Sequence, residues 1–331
     1  MISTRLRIGA ALSALALGLT ACGSDATEDT SAAASGESTT IEVEDNNGTQ
    51  TVTVPPRSVV ATDNRTFETL SDWGVELSAA AVSLMPDTIP YSQDEEIIDL
   101  GSHREPDLES VVAADPDLIV NGQRFTQYTD DFAELVPEAT ILTLDPRDDE
   151  PFDAELKRQT SVLGEVFGKE SEAEQLNSEL DAAIERVKAA YQPGDTVMGL
   201  ITSGGDIGYV TPSTGRTIGP MFDIFDFAPA LEVDEGSDNH QGDDISVEAI
   251  ADSDPDIVLV MDRDAGTSTG SDDPAYRPAN ELIADSEALQ SVTAVQDENI
   301  VYMPADTYTN EGIQTYTEFF NTLADELEAN S

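Results

Sequence analysis

Cysteine occurs once among the 331 residues of this chain, at position 22, and histidine occurs twice. A single cysteine excludes a disulfide framework and a cysteine-based metal site. Two histidines are too few for a zinc or manganese ion held directly by several imidazoles. The chain also has no phosphate loop ending in Gly-Lys-Ser/Thr. We therefore expect a protein that is not an enzyme and that needs no cofactor.

Basic residues are scarce, because 67 acidic residues stand against 15 basic ones and the formal net charge is −52. This balance excludes nucleic acid and anionic lipid surfaces as partners, since both are bound through basic patches. The three lysines, Lys157, Lys169 and Lys188, all fall in one stretch near the middle of the chain. Arginine is therefore the only permanently charged cation in the regions on either side.

The amino terminus has the pattern of an export signal. Arg5 and Arg7 precede an apolar run at 8–19, which is shorter than the roughly 20 residues that span a bilayer. The sequence Leu-Thr-Ala-Cys, ending at Cys22, matches the lipobox of bacterial lipoproteins. We expect a signal peptide at 1–21, lipidation of Cys22, and a flexible acidic tether at 22–40. The protein would then be exported and held on the outer face of the cell membrane by its lipid alone.

Downstream, short apolar strands alternate with amphipathic helices, which is typical of parallel α/β sheets. A long helical stretch at 151–193 interrupts this alternation, with a break expected at Gly168. The pattern predicts the α/β class, with two lobes at 41–150 and 194–331 joined by the helical connector. Together they form one binding domain at 57–331.

The chain also contains an internal repeat in which 107–120 resembles 246–259. Each copy reads as a short helix, an Asp-Pro-Asp turn and a buried strand. At a constant offset of 139 the matched pairs are Glu109 with Glu248, Pro116 with Pro255, and Arg124 with Arg263. A weaker echo matches Arg65 with Arg216 at an offset of 151.

These repeated arginines follow strands or open helices. In open α/β sheets, ligands bind at the edge formed by the carboxyl ends of the strands. The spacing therefore predicts that Arg65, Arg124, Arg216 and Arg263 face one cleft between the lobes. Aromatic edges from Phe125, Tyr128 or Tyr209 are candidates for packing on a ligand there.

From Arg57 onward the chain resembles the substrate-binding lipoproteins of iron-siderophore and vitamin B12 ABC importers. The resemblance is carried by "GSHREPDLESVVAADPDLIVNGQR" at 101–124, "STGRTIGPMFDIFDF" at 213–227, "NHQGDDISVEAIADSDPDIVLVMDR" at 239–263 and "NIVYMPADTY" at 299–308. It implies a class III periplasmic binding fold, with two α/β lobes joined by one long helix. It also implies a monomer that delivers its ligand to an ABC permease.

The resemblance implies roles for particular residues as well. The arginine triad that binds catecholate-type ferric siderophores maps to Arg124, Arg216 and Arg263, and a His and a Tyr that complete an open iron shell map loosely to His240 and Tyr308. The iron itself would be held by the siderophore. Permease docking maps to one acidic residue in each lobe, Glu109 and Glu248. Haem or cobalamin remains an alternative ligand on the same fold.

The chemistry of such a ligand agrees with arginine. A ferric complex of three catecholates is a compact trianion, and its burial without compensating charge would be prohibitive. Arginine stays charged, pairs with two oxygens at once, and stacks on aromatic rings. We therefore expect an arginine-lined pocket for a ferric siderophore.

Overall fold

The computed structural model describes residues 38–233, 236–271 and 273–330. The predicted signal peptide, Cys22 and all but the last three residues of the predicted tether lie outside the described residues. From Ser38 onward the chain forms one unit, so lobe boundaries at 150 and 193 stay a prediction. Among the described helices, none combines the length and the apolarity needed to cross a bilayer.

The first part of this unit contains seven strands and three helices. The strands are β1 Thr39–Asp45, β2 Gly48–Val54, β3 Val59–Ala61, β4 Ala79–Ala80, β5 Ile98–Asp99, β6 Leu118–Asn121 and β7 Thr140–Thr143. The helices are α1 Phe67–Asp72, α2 Leu108–Ala113 and α3 Thr129–Leu135. Because β1 already begins at Thr39, the predicted end of the tether at 40 is too late by two residues.

A parallel sheet of order β5-β4-β3-β6-β7 organises this part of the chain. Its central strands β3 and β6 are buried at every residue, which explains their continuous apolar sequences. The antiparallel hairpin of β1 and β2 forms a separate two-stranded sheet. It contacts β7 through Asn46, whose backbone N–H donates to the Thr143 carbonyl at 2.9 Å.

In the last part of the unit, the described residues form five strands and six α-helices. The strands are β8 Thr196–Ser203, β9 Asp206–Val210, β10 Ala228–Pro229, β11 Ile257–Asp262 and β12 Ile300–Tyr302. They form a second sheet of order β10-β8-β11-β12, in which β9 pairs antiparallel with β8 and the other pairs are parallel. The helices are α6 Gly219–Phe225, α7 Val247–Ser253, α8 Ser268–Ser271, α9 Ala279–Asp285, α10 Thr293–Gln296 and α11 Ile313–Ala329.

Two helices connect the sheets, α4 Phe152–Phe167 and α5 Glu170–Ala190. Gly168 separates them in the left-handed conformation, with φ of +63°, and closes α4 as the sequence predicts. The connector is thus a helix pair whose longer member, α5, packs against α11. The predicted α/β class is confirmed.

The internal repeat has the same local structure in both copies. Asp107 and Ser246 cap α2 and α7 by accepting backbone N–H groups from Ser110 and Ala249. Each helix is followed by an aspartate with positive φ, 44° at Asp115 and 47° at Asp254. The buried strands β6 and β11 then follow. The repeat therefore leads Arg124 and Arg263 out of equivalent strands, one in each sheet.

Segment 306–314 joins the two sheet regions through hydrogen bonds to helix α1 and the turn before β5. Thr88 Oγ1 donates to Asp306 Oδ2 at 2.5 Å. Asn310 Nδ2 donates to Glu68 Oε2 at 2.8 Å, and the Thr69 hydroxyl donates to the Gln314 side chain at 2.7 Å. We call these three bonds the seam.

Candidate functional site

One pocket, which is partly open to solvent, lies where the carboxyl ends of both sheets meet. From the first sheet region it is lined by Thr62, Asn64, Phe67, Leu84, His103, Gln123, Arg124 and Phe125. From the second it is lined by Arg216, Tyr308 and Thr309. The pocket therefore holds two of the four arginines that the sequence singled out, one from each sheet region.

Arg124 is half-buried on the turn that follows β6, and its partner is a histidine. Its Nη1 lies 3.0 Å from His103 Nε2. Arginine only donates, so Nε2 accepts and the neutral ring carries its proton on Nδ1. Burial lowers the pKa of His103, and the charges of Arg124 and Arg104 lower it further. Among the described residues no carboxylate forms an ion pair with Arg124.

Arg216 is held by a buried carboxylate, Glu311, which is only 2% exposed. The Arg216 Nη2 lies 2.7 Å from Glu311 Oε2, and its Nε lies 3.2 Å from Oε1. Thr217 Oγ1 and Gln123 Nε2 also donate to this carboxylate, at 2.5 and 3.2 Å. Burial alone would raise the pKa of Glu311, but Arg216, Arg65 and the Thr217 hydroxyl hold it below its usual value. Glu311 is therefore ionised and fixes Arg216 in place.

Arg263 follows β11 directly and also has a carboxylate partner. Its Nη1 lies 3.0 Å from Asp264 Oδ1 and 3.2 Å from the Ser203 hydroxyl. Asp264 is fixed in turn, because its Oδ2 accepts the backbone N–H of Gly204 at 2.5 Å. The Nε of Arg263 is buried without a hydrogen-bond partner among the described residues.

Tyr308 brings Arg216 and Arg263 together. The Cζ atoms of both guanidinium groups lie 4.8 Å from the centre of its ring. Such cation–π contacts contribute about 0.5–2 kcal/mol each. Arg263 does not line the pocket wall itself, but it stacks on a ring that does.

His240 lies on the loop before α7, and its ring makes no hydrogen bond within the described part of the chain. Burial lowers its pKa, and the charges of Arg263, Arg124, Arg216 and Arg104 add to this effect, in that order. Four arginines thus act on one imidazole, and the pocket is locally cationic within a strongly acidic chain.

The structure places Arg65 outside this pocket. Its Nη1 pairs with Asp145 at 3.3 Å, and its Nε is buried without a partner among the described residues. The buried Asp63 beside it has a pKa raised to about 6 by burial and by Asp145. Arg65 therefore belongs to a buried network next to the pocket, and its contact with a ligand stays a prediction.

The two acidic residues of the repeat lie at equivalent, exposed places. Glu109 and Glu248 each occupy the first turn of their helix, α2 and α7. Of the three aromatic candidates, Phe125 lines the pocket and the Tyr128 hydroxyl donates to the His103 carbonyl at 3.0 Å. Tyr209 is 1% exposed and donates to the Leu231 carbonyl, so the expectation that it packs on a ligand is wrong.

The pentapeptide Gly-Thr-Ser-Thr-Gly at 266–270 fits the pattern of a serine-nucleophile turn. In α/β-hydrolases that serine sits between a strand and a helix, with an aspartate and a histidine as partners. Here five residues separate the end of β11 at Asp262 from Ser268, which begins a helix of only four residues, α8. The backbone at 266–270 therefore does not repeat the hydrolase arrangement.

Comparison with known proteins places this arrangement in a family. The family model described as periplasmic binding protein matches residues 59–307. The chain belongs to this family. As a periplasmic binding protein it is 25% identical to the petrobactin-binding protein YclQ of Bacillus subtilis over 316 residues, which covers 94% of this chain and 95% of that relative. It is also 24% identical to the ferric-anguibactin-binding protein FatB of Vibrio anguillarum, covering 82% and 81% of the two chains.

The fold of this periplasmic binding protein also matches solved structures. The catecholate-siderophore binding protein VctP of Vibrio cholerae superposes with a TM-score of 0.74 at 22% identity, covering 88% of this chain and all of the other. The predicted family is confirmed.

One pocket residue, His103, and three charged residues that act on the pocket were not singled out from the sequence. His103 and Arg104 stand inside the quoted segment at 101–124, and the rarity of histidine was the available signal for the first. Glu311 and Asp264 had no such signal, because 67 acidic residues make any single one inconspicuous.

Proposed function

We propose that this periplasmic binding protein captures a ferric siderophore in its arginine-lined pocket and delivers it to an ABC permease for iron uptake. The observation that carries the proposal is that Arg124 and Arg216 line one pocket together with Tyr308, and that Arg216 and Arg263 both stack on the Tyr308 ring. Guanidinium groups suit oxygen-rich, anionic chelates because they stay charged and pair with two oxygens at once. The names of YclQ and FatB, which bind petrobactin and ferric anguibactin, support the same ligand class.

The proposal assigns roles to the remaining predicted residues. His240 and Tyr308 are candidates to complete the coordination of an iron ion that the siderophore leaves partly open. Cys22 would carry the lipid that keeps the exported protein on the outer face of the membrane. No catalytic step is required of a protein with this role, which acts as a monomer without a cofactor.

A direct binding experiment tests the ligand. Ferric complexes of a catecholate, a citrate-based and a mixed-donor siderophore are titrated into the protein, with haemin and cyanocobalamin as competing candidates. Binding is followed by calorimetry and by the fluorescence of Trp73, the single tryptophan, which is buried at the end of the pocket helix α1.

We expect at least one ferric chelate to bind with a submicromolar Kd, equivalent to about 8 kcal/mol or more. Three arginine contacts supply enough interaction energy for such a Kd. If haemin or cyanocobalamin bound and no ferric siderophore did, that compound would replace the ferric siderophore as the proposed ligand. If none of the five compounds bound, the proposal would be wrong.

Permease docking is proposed for Glu109 and Glu248. Both carboxylates are exposed on matching helices, and Val112, one turn beyond Glu109, is 47% exposed. The double variant Glu109→Lys/Glu248→Lys should keep its Kd for the ferric chelate and lose uptake in cells that depend on this protein. Exchange of exposed Glu42 and Glu44 for lysine serves as the control with the same change in charge. Undiminished uptake by the first variant would remove these two residues from the docking surface.

A further inference from the structure

The pocket arginines differ in how much of their charge is free. Glu311 neutralises Arg216 through two hydrogen bonds at 2.7 and 3.2 Å. Asp264 neutralises Arg263 at 3.0 Å. Both carboxylates are fixed by other donors, the Thr217 hydroxyl and the Gly204 backbone, so they remain beside their arginines when a ligand arrives.

Arg124 has no such partner among the described residues. It donates to a neutral imidazole, His103, which contributes no negative charge. The neighbouring Arg104 is exposed and also forms no ion pair within the described part of the chain. The Tyr128 hydroxyl bonds to the carbonyls of His103 and Arg104 at 3.0 and 3.2 Å and holds this turn beside Arg124.

The formal charges around the pocket can now be summed. The three arginines of the triad carry three positive charges, and Glu311 and Asp264 carry two negative ones. One positive charge is left, and Arg104, whose charge acts on both His103 and His240, brings the total to two. A trianionic chelate would leave at least one negative charge uncompensated in a partly buried site, which is unfavourable.

We propose that the pocket selects ferric chelates carrying one or two negative charges over the trianionic tris-catecholate type. This inference rests on the proposed function and narrows its ligand class. Ferric iron has three positive charges, each catecholate has two negative charges and each hydroxamate has one. Mixed catecholate–hydroxamate chelates therefore have the matching charge, which revises the trianion expected from the sequence.

A series of tripodal chelators tests this selectivity at nearly constant size. With three, two, one or no catecholates, and hydroxamates in the other arms, the ferric complexes carry three, two, one and zero negative charges. The wild-type protein should bind the dianion and the monoanion at least about tenfold more tightly than the trianion.

Two variants should move the preference in opposite directions. Asp264→Asn exposes the charge of Arg263 and should improve the affinity for the trianion, relative to the neutral complex, at least about tenfold. Arg104→Ala should shift the preference toward less anionic complexes. Because Arg104 is exposed, the variant should keep the melting temperature of the wild type, which a melting curve checks. Asp117→Asn is the matched control, because Asp117 also pairs with an arginine and accepts backbone N–H groups, but at the amino end of β6.

The outcomes are distinct. The proposal is supported if the wild type prefers the dianion or the monoanion, if Asp264→Asn and Arg104→Ala shift this preference in the expected directions, and if Asp117→Asn leaves it unchanged. Tightest binding of the trianion by the wild type, or an equal shift in Asp264→Asn and Asp117→Asn, overturns the charge selectivity and leaves the proposed function standing. If the wild type binds neither this series nor any ferric siderophore, the proposed function itself fails.

Discussion

Replacing Glu311 with alanine should lower the free energy of unfolding by about 3–5 kcal/mol, because it leaves the guanidinium of Arg216 without its buried counter-ion. Thr217 and Gln123 lose an acceptor in the same variant. The loss is measured by urea unfolding at neutral pH, where the midpoint should fall with little change in slope. Because Glu311 lies in the segment that carries the seam, we expect both sheet regions to unfold together in a single transition.

A matched control separates this effect from the general loss of a carboxylate. Asp285 pairs with Arg277 at 2.5 Å, but its side chain is 73% exposed. Asp285→Ala should therefore cost at most about 1 kcal/mol. The double replacement Arg216→Met/Glu311→Leu should be less destabilising than Glu311→Ala, since no buried charge is left alone. Equal losses in Glu311→Ala and Asp285→Ala would contradict the buried-pair argument.

The same pair predicts a pH dependence. The folded state lowers the pKa of Glu311, so its stabilising contribution is complete above the ordinary glutamate pKa of about 4.3. This contribution is lost as the pH falls through the lowered value. The difference in unfolding free energy between wild type and Glu311→Ala should therefore shrink below about pH 4.

Replacing Arg124 with alanine should weaken binding of the preferred ferric chelate by about 1.5–3 kcal/mol, or roughly 10- to 150-fold in Kd. Arg124 is the triad member without a neutralising carboxylate among the described residues, so its full charge acts on the ligand. Arg57→Ala is the control, because Arg57 pairs with Asp117 at the opposite, amino-terminal edge of the first sheet. An unchanged Kd in Arg124→Ala would exclude this residue from the binding site.

The variant has a second readout that needs no ligand. Arg124 lowers the pKa of both His103 and His240, so its removal should raise both values. The chain has two histidines, which makes their titration by NMR simple to assign. A raised pKa at both positions together with weaker binding would show that the same charge acts on the pocket and on the ligand.

The sequence was informative where structure repeats or has a period. The duplicated helix-turn-strand unit predicted equivalent places for Arg124 and Arg263, and helical spacing predicted α4 and α5 with their break at Gly168. The two-residue strands β4 and β5 are too short to show any periodicity.

The carboxylates that pair with the arginines could not be predicted from the sequence. Glu311 lies 95 positions from Arg216, and its partnership arises only when α11 packs beside the second sheet. For the same reason the repeat predicted the place of Arg65 at the start of a helix but not its pairing with the carboxylate of Asp145, 80 positions away. Side-chain partners across such separations depend on tertiary packing that local patterns do not encode.

The seam sets a limit on how far this receptor can open. The hydrogen bonds of the seam join α1 and its neighbouring turn to segment 306–314, which also carries Tyr308 and Glu311. A wide hinge motion would break all of these hydrogen bonds together. We therefore expect a ligand to enter and leave through local rearrangement at the edge of the pocket. Under the proposed function, the size of the ferric chelates that fit would therefore be set by the pocket as it is folded, and not by closure of two lobes around the ligand.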